Sequence, residues 1–518
     1  MQPRAAVAPL AVLALALPFL FAYTSPPSAN FWPWLASWAC AGVLAALLLA
    51  GLDWPRRTWA RHWSVALALA ALVAAGIGLA QYFVGDPGAA PWVQPSTPGQ
   101  AIGNLRQRNQ QATLLSLGLW ALLWAVAQWQ AGGQAGRQAR WVGVAVGLLL
   151  SWGLVLLAAA SAATASRTGA LQWLLVLGLV LCWRRMLGPL PLALAVVGLL
   201  AYGAASWALP HLLEQWTGIP ADRLFARFAD DGQGCGGRKV LWTNVLYLIA
   251  QRPWTGWGWG ELDYAHYITL YEGARFCHIL DNAHNLPLHL AVELGVPVAL
   301  AACAALAWLV WRGRPWAEQH PTRQLAWGVL TVIGIHSLVE YPLWYGPFQM
   351  AAVVCGWLLW ATRDGARDAA PGLRALRYPV AAAMLAAVAY AGWDYHRISQ
   401  IYLPLEQRAA MYRDDAMGHA QKSWLYADAV RFAEVTTRPA VRDNAAWMLP
   451  AALRTLHFSP EPRVAIKVIE SATLLGRDDI ALAHLARFRA AFPKEHAQWV
   501  QDNAKVLQGA REQLQGAS

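Results

Sequence analysis

Long apolar runs, separated by short polar connections, occupy most of this chain. A helix needs about 20 apolar residues to cross the hydrocarbon core of a bilayer. Runs that approach or reach this length lie near residues 5–23, 32–51, 64–84, 112–130, 141–163, 169–183, 189–209, 286–311, 324–340, 346–362 and 379–393. The pattern predicts an all-α, polytopic helical membrane protein with about eleven transmembrane helices.

The composition supports this prediction. Of 518 residues, 57% are hydrophobic and 13% are charged, and this charged fraction is about half that of a soluble domain. A formal net charge of +11 is compatible with nucleic-acid binding, but the arginines lie between apolar runs instead of along one polar face. We therefore attribute the positive charge to membrane topology and expect no nucleic-acid partner.

The arginines also predict the orientation, because short cytoplasmic loops of membrane proteins are enriched in Lys and Arg. Alternate connections carry Arg4; Arg56, Arg57 and Arg61; Arg137 and Arg140; Arg184 and Arg185; Arg312, Arg314 and Arg323; and Arg363, Arg367, Arg374 and Arg377. We place these loops and the N-terminus in the cytoplasm. The other loops would then face outward. In a Gram-negative cell that compartment would be the periplasm, where no ATP is available, so a bond-forming reaction would need an activated donor.

The first run has a length that a signal peptide could have. However, no small-x-small cleavage pattern follows Phe21, and Pro26 and Pro27 lead straight into the next run. We therefore expect the first run to be a transmembrane helix.

Two long polar regions are both predicted to be outside. One lies between the seventh and eighth runs, and the other is a charged tail whose apolar residues recur at helical spacing, as in Ala481, Leu485, Phe488 and Phe492. The tail is expected to form paired helices, without a clear 34-residue repeat. The predicted segments are an N-terminal transmembrane bundle (1–209), a periplasmic catalytic loop (210–285), C-terminal transmembrane helices (286–394) and a periplasmic helical domain (395–518).

The densest group of polar side chains stands at the end of the first polar region, in DNAHNLPLHLAVE. Asp281, Asn282, His284 and Asn285 directly precede an apolar run. Asp281 or Asn282 is expected to cap the following helix, which has Pro287 in its first turn, but capping requires one such residue and not four. Histidine can take a proton from a hydroxyl near neutral pH, and a carboxylate can orient it. His284 and Asp281 are therefore the candidate catalytic residues, supported by Asn282 and Asn285.

Basic side chains in the same loop are suited to binding phosphate. GGRKVLW contains Arg238 and Lys239, and QRPWTGWGWGEL contains Arg252. Arginine binds phosphate through a planar fork and keeps its charge. Together with Arg167 of ASRTGAL, these residues form a candidate site for a lipid-linked diphosphate. For each of them alone, headgroup contact or ion pairing within the loop is the alternative.

Other polar residues are expected to support the site. Glu261 ends the glycine-tryptophan run, and His336 and Glu340 lie four residues apart at the outer end of a later run. Ionisable groups there are costly unless they are paired or functional, so His336 and Glu340 either pair with each other or take part in the function.

The glycine-tryptophan run WTGWGWG does not follow a strand, so it is not a dinucleotide-binding fingerprint. Its glycines are expected to let the backbone pass close to membrane or substrate, and its indoles to offer flat surfaces to sugar rings or lipid. Cys235 and Cys277 face an oxidising compartment and could form a disulfide, which the chain-entropy relation values at about 4 kcal/mol. Asp281, His278 and His284 also have the residue types of a metal site, but no cysteine joins them at ligand spacing.

Several of these stretches occur in the same order in a known family. The chain resembles the O-antigen ligase/polymerase superfamily, and within it the pilin-type protein O-oligosaccharyltransferases. The stretches that carry the resemblance are LPFLFAYTSPPSANF, ASRTGAL, GGRKVLW, RPWTGWGWGEL, DNAHNLPLHLAVELG and HSLVEYPLWYGPF.

The resemblance implies an inverting, metal-independent reaction without a cofactor, in which a glycan passes en bloc from undecaprenyl diphosphate to a hydroxyl group. It also implies that His284 is the essential loop histidine of the family and that Arg167 and Arg238 occupy its arginine positions. The arginines would stabilise charge on the leaving diphosphate, and His284 would activate or orient the acceptor oxygen. We therefore expect an enzyme of the inner membrane that glycosylates Ser/Thr hydroxyls of proteins such as pilin.

Other activities share these features. An O-antigen ligase acting on lipid A core, or a polymerase that extends the glycan, would use the same donor chemistry. A lipid or solute transporter would also be polytopic, but it would place polar groups at mid-membrane and often show repeated halves. Because the polar residues of this chain collect outside the apolar runs, glycosyl transfer is favoured over transport.

Overall fold

A computed structural model describes residues 3–49, 54–131, 137–220, 234–363 and 377–516. These residues form helices, turns and loops, and within these ranges there is no β-strand. The prediction of an all-α protein is therefore confirmed. Arg367 and Arg374, which contributed to the predicted orientation, lie outside the described residues.

The helices up to residue 217 follow the first seven predicted runs. They are α1 (Pro3–Leu20), α2 (Phe31–Leu49), α3 (Arg56–Val84), α4 (Arg108–Ala131), α5 (Arg137–Ala163), α6 (Arg167–Cys182), the single turn α7 (Arg184–Leu187) and α8 (Pro189–Thr217). The polar region that follows contains two helices, α9 (Arg238–Gln251) and α10 (Leu262–Ile268).

The remaining runs are also helical. They give α11 (Leu286–Leu294), α12 (Val296–Gly313), α13 (Pro321–Ser337), α14 (Gly346–Ala361) and α15 (Arg377–Ser399). The tail consists of α16 (Ala416–Ala420), α17 (Ala427–Thr437), α18 (Ala445–Thr455), α19 (Pro462–Leu474), α20 (Asp478–Ala491) and α21 (Pro493–Gly516). The tail is thus helical, as its periodicity predicted.

Several helices have the length and composition of membrane spans. Among the described residues, four helices are long and apolar enough to cross a bilayer, namely α3, α4, α8 and a segment that begins with α12, Val296–Ala317. Shorter apolar helices lie at Val7–Leu20, Phe31–Leu47, Leu150–Ala163, Arg167–Cys182 and Gly346–Ala361. The chain is therefore a membrane protein, and its full number of spans and its orientation stay predictions.

The eighth predicted run is not one helix. It breaks at Gly295, which has a φ of 87° and whose N–H donates to the Ala291 carbonyl. A side chain at this position would start 2.3 Å from the carbonyl oxygen of Trp254. The break therefore follows from a backbone crossing that only glycine permits.

The chain divides into two compact units. The first, called the bundle unit, comprises residues 1–231 and 306–392, and the second, called the loop-tail unit, comprises residues 232–305 and 393–518. In the bundle unit, α3 and α4 pack closely because Gly118 leaves room for Ala71; a Cβ on Gly118 would lie 2.1 Å from that methyl. Small residues at helix contacts are typical of membrane bundles.

The loop-tail unit has a core of its own that joins the polar region to the tail. Tyr267 of α10 packs in one cluster with Met448, Val468 and Phe488 of the tail helices. The Tyr267 hydroxyl lies 3.1 Å from Nδ1 of His484, and Arg487 donates to the Ile268 carbonyl. Residues 262–268 and the tail therefore fold together instead of forming separate domains.

Candidate functional site

Helix α9 is bonded to the segment that leads into the histidine turn. Cys235, three residues before the helix, forms a disulfide with Cys277, and the two Cα atoms are 5.2 Å apart. One turn into the helix, Trp242 Nε1 donates a 3.0 Å hydrogen bond to the Ala283 carbonyl. Arg238 is the first residue of α9 and lies between these two connections along the chain. The fold thus brings Arg238 and the neighbours of His284 to the same end of α9.

Two further hydrogen bonds hold this arrangement. The buried Asn244 side chain accepts from the Phe276 N–H at 2.8 Å and donates to the Ala274 carbonyl at 2.9 Å. Because the Asn244 amide both donates and accepts a hydrogen bond, it holds the loop at a defined position against the helix. The segment before the histidine turn is therefore pinned at residues 274–277 and again at Ala283.

His284 stands in a turn with an unusual backbone conformation. Its φ is 51°, in the left-handed region that few residues other than glycine adopt. The Oδ1 of buried Asn282 accepts from the His284 N–H at 2.9 Å, and this bond stabilises the turn. His284 is half-buried, and Asp281 is exposed. Strained backbone of this kind is often found at functional sites.

The helix cap was predicted at the wrong residue. Asn285, not Asp281 or Asn282, is the N-cap of α11, since its Oδ1 accepts from the Leu288 N–H at 2.9 Å. Asn282 instead orders the turn, and Asp281 does neither. The four neighbouring polar residues therefore have different roles. Asn285 caps the helix and Asn282 stabilises the turn, whereas His284 is half-buried and Asp281 is exposed.

The glycine-tryptophan run contacts the end of α11. The N–H groups of Trp257 and Gly258 donate to the carbonyls of Val292 and Glu293, each at 2.9 Å. A Cβ on Gly256 would lie 2.3 Å from the Glu293 oxygen. The close approach that the glycines were expected to allow, to membrane or substrate, is made to the chain's own backbone. The run satisfies carbonyls that the end of a helix leaves without partners.

The basic residues of the loop do not all meet. Arg238 and Lys239 are at the N-terminal end of α9, and Arg252 follows its last residue. A helix of 14 residues is about 20 Å long at 1.5 Å per residue. Arg252 is exposed and lies over the ring of Trp257, 4.1 Å from its centroid. The structure therefore separates Arg252 from Arg238, because a stretch treated as loop is a helix.

Glu261 contacts the tail. Its Oε2 lies 2.8 Å from Nδ1 of His457, and the His457 ring stacks on Tyr264 with centroids 3.7 Å apart. Within the loop-tail unit, Glu261 therefore helps to hold the start of α10 against the tail helices.

Asp263 is a titratable residue near these groups that the sequence did not single out. Burial is the main cause that raises the pKa of its carboxyl to about 7, and the negative charges of Asp281, Glu261 and Glu293 raise it further. A carboxyl with such a pKa exchanges its proton near neutral pH. Nothing in the local pattern LDYAH distinguishes it, since the shift arises mainly from burial in the folded chain.

His266 has a structural role. It lies 2.8 Å from the Tyr271 hydroxyl through Nδ1 and 3.1 Å from the Phe276 carbonyl through Nε2. Burial first, and then the charge of Arg275, lower the pKa of His266 to about 3. The ring is therefore neutral at physiological pH. Arg275 itself donates to the carbonyls of Thr269 and His266, at 2.8 Å each, and closes the same loop.

A second set of polar residues lies at one end of the bundle unit. Asn109 of α4 accepts from the Ser166 hydroxyl at 2.6 Å and donates to Glu340 Oε1 at 2.9 Å. Ser166 also caps α6 by accepting from the Gly169 N–H, which places Arg167 at the first position of that helix. Asn109 thus connects Glu340 with the residue that precedes Arg167.

The network continues one turn further along α4. Thr113 Oγ1 lies 2.8 Å from Nδ1 of His336 and accepts from Gln172 Nε2 at 2.8 Å. Thr113, Gln172 and His336 are all fully buried. Sequence reasoning selected His336 and missed Asn109, Thr113 and Gln172. The available signal was the polar stretch QRNQQAT at the start of an otherwise apolar run.

The predicted site residues are therefore distributed over both units. Arg167, His336 and Glu340 belong to the bundle unit. Asp281, Asn282, His284, Asn285, Arg238, Lys239, Arg252, Glu261, Cys235 and Cys277 belong to the loop-tail unit. Within the described ranges, no three His, Cys, Asp or Glu side chains lie close enough to hold a metal ion together.

Comparisons with known proteins locate matches in both units. Residues 152–303 match the family described as O-Antigen ligase, and residues 324–507 match the one described as Virulence factor membrane-bound polymerase, C-terminal. Residues 101–124, which include Asn109 and Thr113, match the family described as Protein glycosylation ligase.

One relative is named for an activity. A General O-oligosaccharyltransferase of Acinetobacter baylyi (strain ATCC 33305 / BD413 / ADP1) is 30% identical over 116 residues. The match covers 22% of this chain and 20% of the relative. It thus spans about a fifth of that protein's length.

Proposed function

We propose that this chain, a member of the O-antigen ligase superfamily close to the enzymes that glycosylate proteins, transfers a glycan en bloc to Ser/Thr hydroxyls of proteins such as pilin. The donor is undecaprenyl diphosphate carrying the glycan. The reaction takes place at the periplasmic face of the inner membrane, which is the side that the arginine distribution assigns to the loop and the tail.

The observation that carries this proposal is the placement of Arg238 and the His284 turn at one end of α9. The disulfide on one side and the bond from Trp242 to Ala283 on the other support this placement. A glycosyl transfer from a diphosphate needs a cation at the leaving group and a proton acceptor at the attacking hydroxyl. Arg238 supplies the first chemistry and His284 the second.

The proposed step is a single displacement. The acceptor hydroxyl oxygen forms a bond to the anomeric carbon while the bond from that carbon to the diphosphate oxygen breaks, which inverts the configuration. His284 takes the hydroxyl proton, and Asp281 orients or balances the charge of the imidazole. The electron pair leaves with the diphosphate, which remains on the lipid. Atoms and charge therefore balance without a cofactor.

The N-terminal end of α9 suits the diphosphate. Helix N-termini present unpaired N–H groups and a partial positive charge to anions, and Arg238 and Lys239 add two cations in its first turn. In the bundle unit, Arg167 is likewise the first residue of a helix, α6, which Ser166 caps. In this proposal Arg252 binds no diphosphate, because its guanidinium lies on Trp257 at the opposite end of α9.

The bundle network supports the proposal in a second way. His336 and Glu340 are buried at one end of an apolar bundle, where each carries a desolvation cost, and Asn109 is half-buried beside them. Asn109 connects Glu340 with Ser166, the N-cap of α6, and this connection helps to fix the position of Arg167. We therefore assign His336 and Glu340 to positioning instead of proton transfer.

Glycan polymerisation is the second candidate function. It is favoured by the match of residues 324–507 to the C-terminal part of the family described as Virulence factor membrane-bound polymerase. A polymerase would use the same donor and accept a sugar hydroxyl of a growing glycan.

The experiment that tests the role of His284 uses His284→Asn. Asparagine tolerates a left-handed φ better than alanine does, so the substitution removes the base while preserving the turn. The matched control is His320→Ala, an exposed histidine at the start of α13. We expect both variants to be produced like the wild type, and transfer in membranes to fall at least a hundredfold in His284→Asn alone, within the range for a general base. Transfer at the wild-type rate in His284→Asn would remove His284 from the mechanism.

A further inference from the structure

An apolar groove of about 370 Å³ lies along one side of the bundle unit. It is formed mainly by α2 and α14, and its described lining residues carry no charge; they include Trp38, Ala41, Met350 and Trp357. Along α14 the groove extends from Gly346 to Trp357, which is about 16 Å at 1.5 Å per residue. A groove of this shape and composition is suited to a hydrocarbon chain, and not to a sugar or a peptide.

A half-buried arginine lies near the beginning of α14, whose first residue Gly346 lines the groove. Arg106 donates from Nη2 to Asn30 Oδ1 at 2.7 Å, and Asn30 directly precedes α2. Tyr345, the neighbour of groove residue Gly346, lies close enough to the same guanidinium to affect its pKa. Arg106 is therefore close to the first residues of both helices that line the groove.

Arg106 lacks a full set of partners. Its Nη1 is buried and has no hydrogen bond, and its φ is 60°, in the left-handed region. Burial lowers the pKa of this arginine. A desolvated guanidinium with an unused donor is costly unless an anion completes it. Strained backbone at a charged residue often accompanies a binding role.

Arg106 also adjoins the polar network of the bundle unit. Three residues later in the chain, Asn109 bonds to Ser166 and Glu340. Arg106 and Arg167 therefore lie at the same end of the bundle.

We propose that Arg106 binds a phosphate of a prenyl diphosphate, and that the apolar groove holds the prenyl units next to that phosphate. This inference rests on the proposed function, since the prenyl diphosphate is its donor lipid. The groove volume admits roughly a dozen carbon-sized groups at about 30 Å³ each, which is two or three five-carbon prenyl units. A prenyl diphosphate has one hydrocarbon chain and one anionic end, and the structure offers one groove and one cation. A phospholipid has two hydrocarbon chains and therefore matches the groove less well.

The test measures binding without transfer. The full chain is purified in nanodiscs and exposed to a sugar-free prenyl diphosphate that carries a photoreactive diazirine in its second prenyl unit. We expect the label on peptides of α2 and α14. Arg106→Gln should weaken binding about tenfold to a hundredfold, the loss expected for one charge-assisted hydrogen bond, and Arg106→Lys should retain part of the affinity.

Variants of the groove test the binding of the prenyl chain independently of the binding of the phosphate. Ala41→Phe fills the groove and should abolish labelling of α2 and α14, whereas Ala39→Phe, on the same helix but outside the groove lining, should leave labelling unchanged. Labelling confined to other helices, or wild-type affinity in Arg106→Gln, would overturn the proposal. Equal competition by a phosphatidylglycerol would also overturn it, because the groove would then be a site for bilayer lipid.

The two proposals fail in different ways. If the proposed function is wrong, the wild type binds the prenyl diphosphate at the groove but transfers no glycan. If the groove inference is wrong, the wild type transfers glycan, and Arg106→Gln and Ala41→Phe bind and transfer as the wild type does.

Discussion

Replacing Gly256 by alanine tests the structural role of the glycine-tryptophan run. The run carries N–H groups to the end of α11, and a Cβ on Gly256 would lie 2.3 Å from the Glu293 oxygen and 2.6 Å from the Leu294 nitrogen. Both are backbone atoms, so they cannot turn aside as a side chain would. The run must move away from α11 in Gly256→Ala.

The expected cost can be worked from three contributions. Gly256 has a φ of 67°, in the left-handed region. A residue with a side chain is destabilised there by about 1–2 kcal/mol. Displacing the run also breaks the hydrogen bonds from Trp257 and Gly258, at about 1 kcal/mol each. The sum is about 3–4 kcal/mol, before any cost of uncapping α11.

Gly260 supplies the matched control. Its φ is 78°, and a Cβ there meets no heavy atom within 4 Å. Gly260→Ala should therefore cost only the conformational contribution of about 1–2 kcal/mol. The measurement is the temperature at which each full-length variant in the same detergent loses its monodisperse chromatographic peak. We expect a clearly larger decrease for Gly256→Ala; equal decreases would show that the close approach to α11 contributes nothing.

Further predictions concern the disulfide, the raised pKa of the Asp263 carboxyl and the helix cap Asn285. Replacing Cys235 and Cys277 by serine should destabilise the loop-tail unit by about 4 kcal/mol on the chain-entropy relation, for a separation of 42 residues; unchanged resistance to denaturant would contradict this. The Asp263 pKa is about 7 when folded, above its ordinary value of 3.8. The folded state then binds more protons between these values, so stability should fall as pH rises from about 4 to 7, and Asp263→Asn should flatten the fall; an equally steep profile would refute the assignment. Asn285→Ala should cost about 1 kcal/mol, measured by thermal unfolding, and wild-type stability would refute the cap.

Most of the helices could be predicted because a membrane span is a local property of the sequence. Runs of about 20 apolar residues determined the positions of α1 to α6 and α8 without any knowledge of their neighbours. The break at Gly295 could not be predicted, because it depends on the backbone of Trp254, some 40 residues earlier in the chain. The helices α9 and α10 were likewise hidden in a region that its polarity marked as loop.

The candidate site was predictable in residue type but not in arrangement. The sequence selected His284 and Arg238, yet gave no means to see that Arg252 lies at the far end of α9 or that Asn285 provides the cap. The polar network around Asn109 could not be predicted from charged residues, because it consists mainly of amides and hydroxyls. The pKa of Asp263 depends first on its burial and then on the charges of Asp281, Glu261 and Glu293, and the burial is known only from the folded chain.

The measurement that tests the central claim most directly is a reconstituted transfer assay with competing acceptors. Purified protein receives an undecaprenyl-diphosphate glycan together with a pilin-like polypeptide and lipid A core, in the presence of a chelator. The account predicts glycan on serine or threonine of the polypeptide, with no such product from His284→Asn. Glycan on lipid A core, or elongation of the donor glycan itself, with the polypeptide left unmodified, would contradict it.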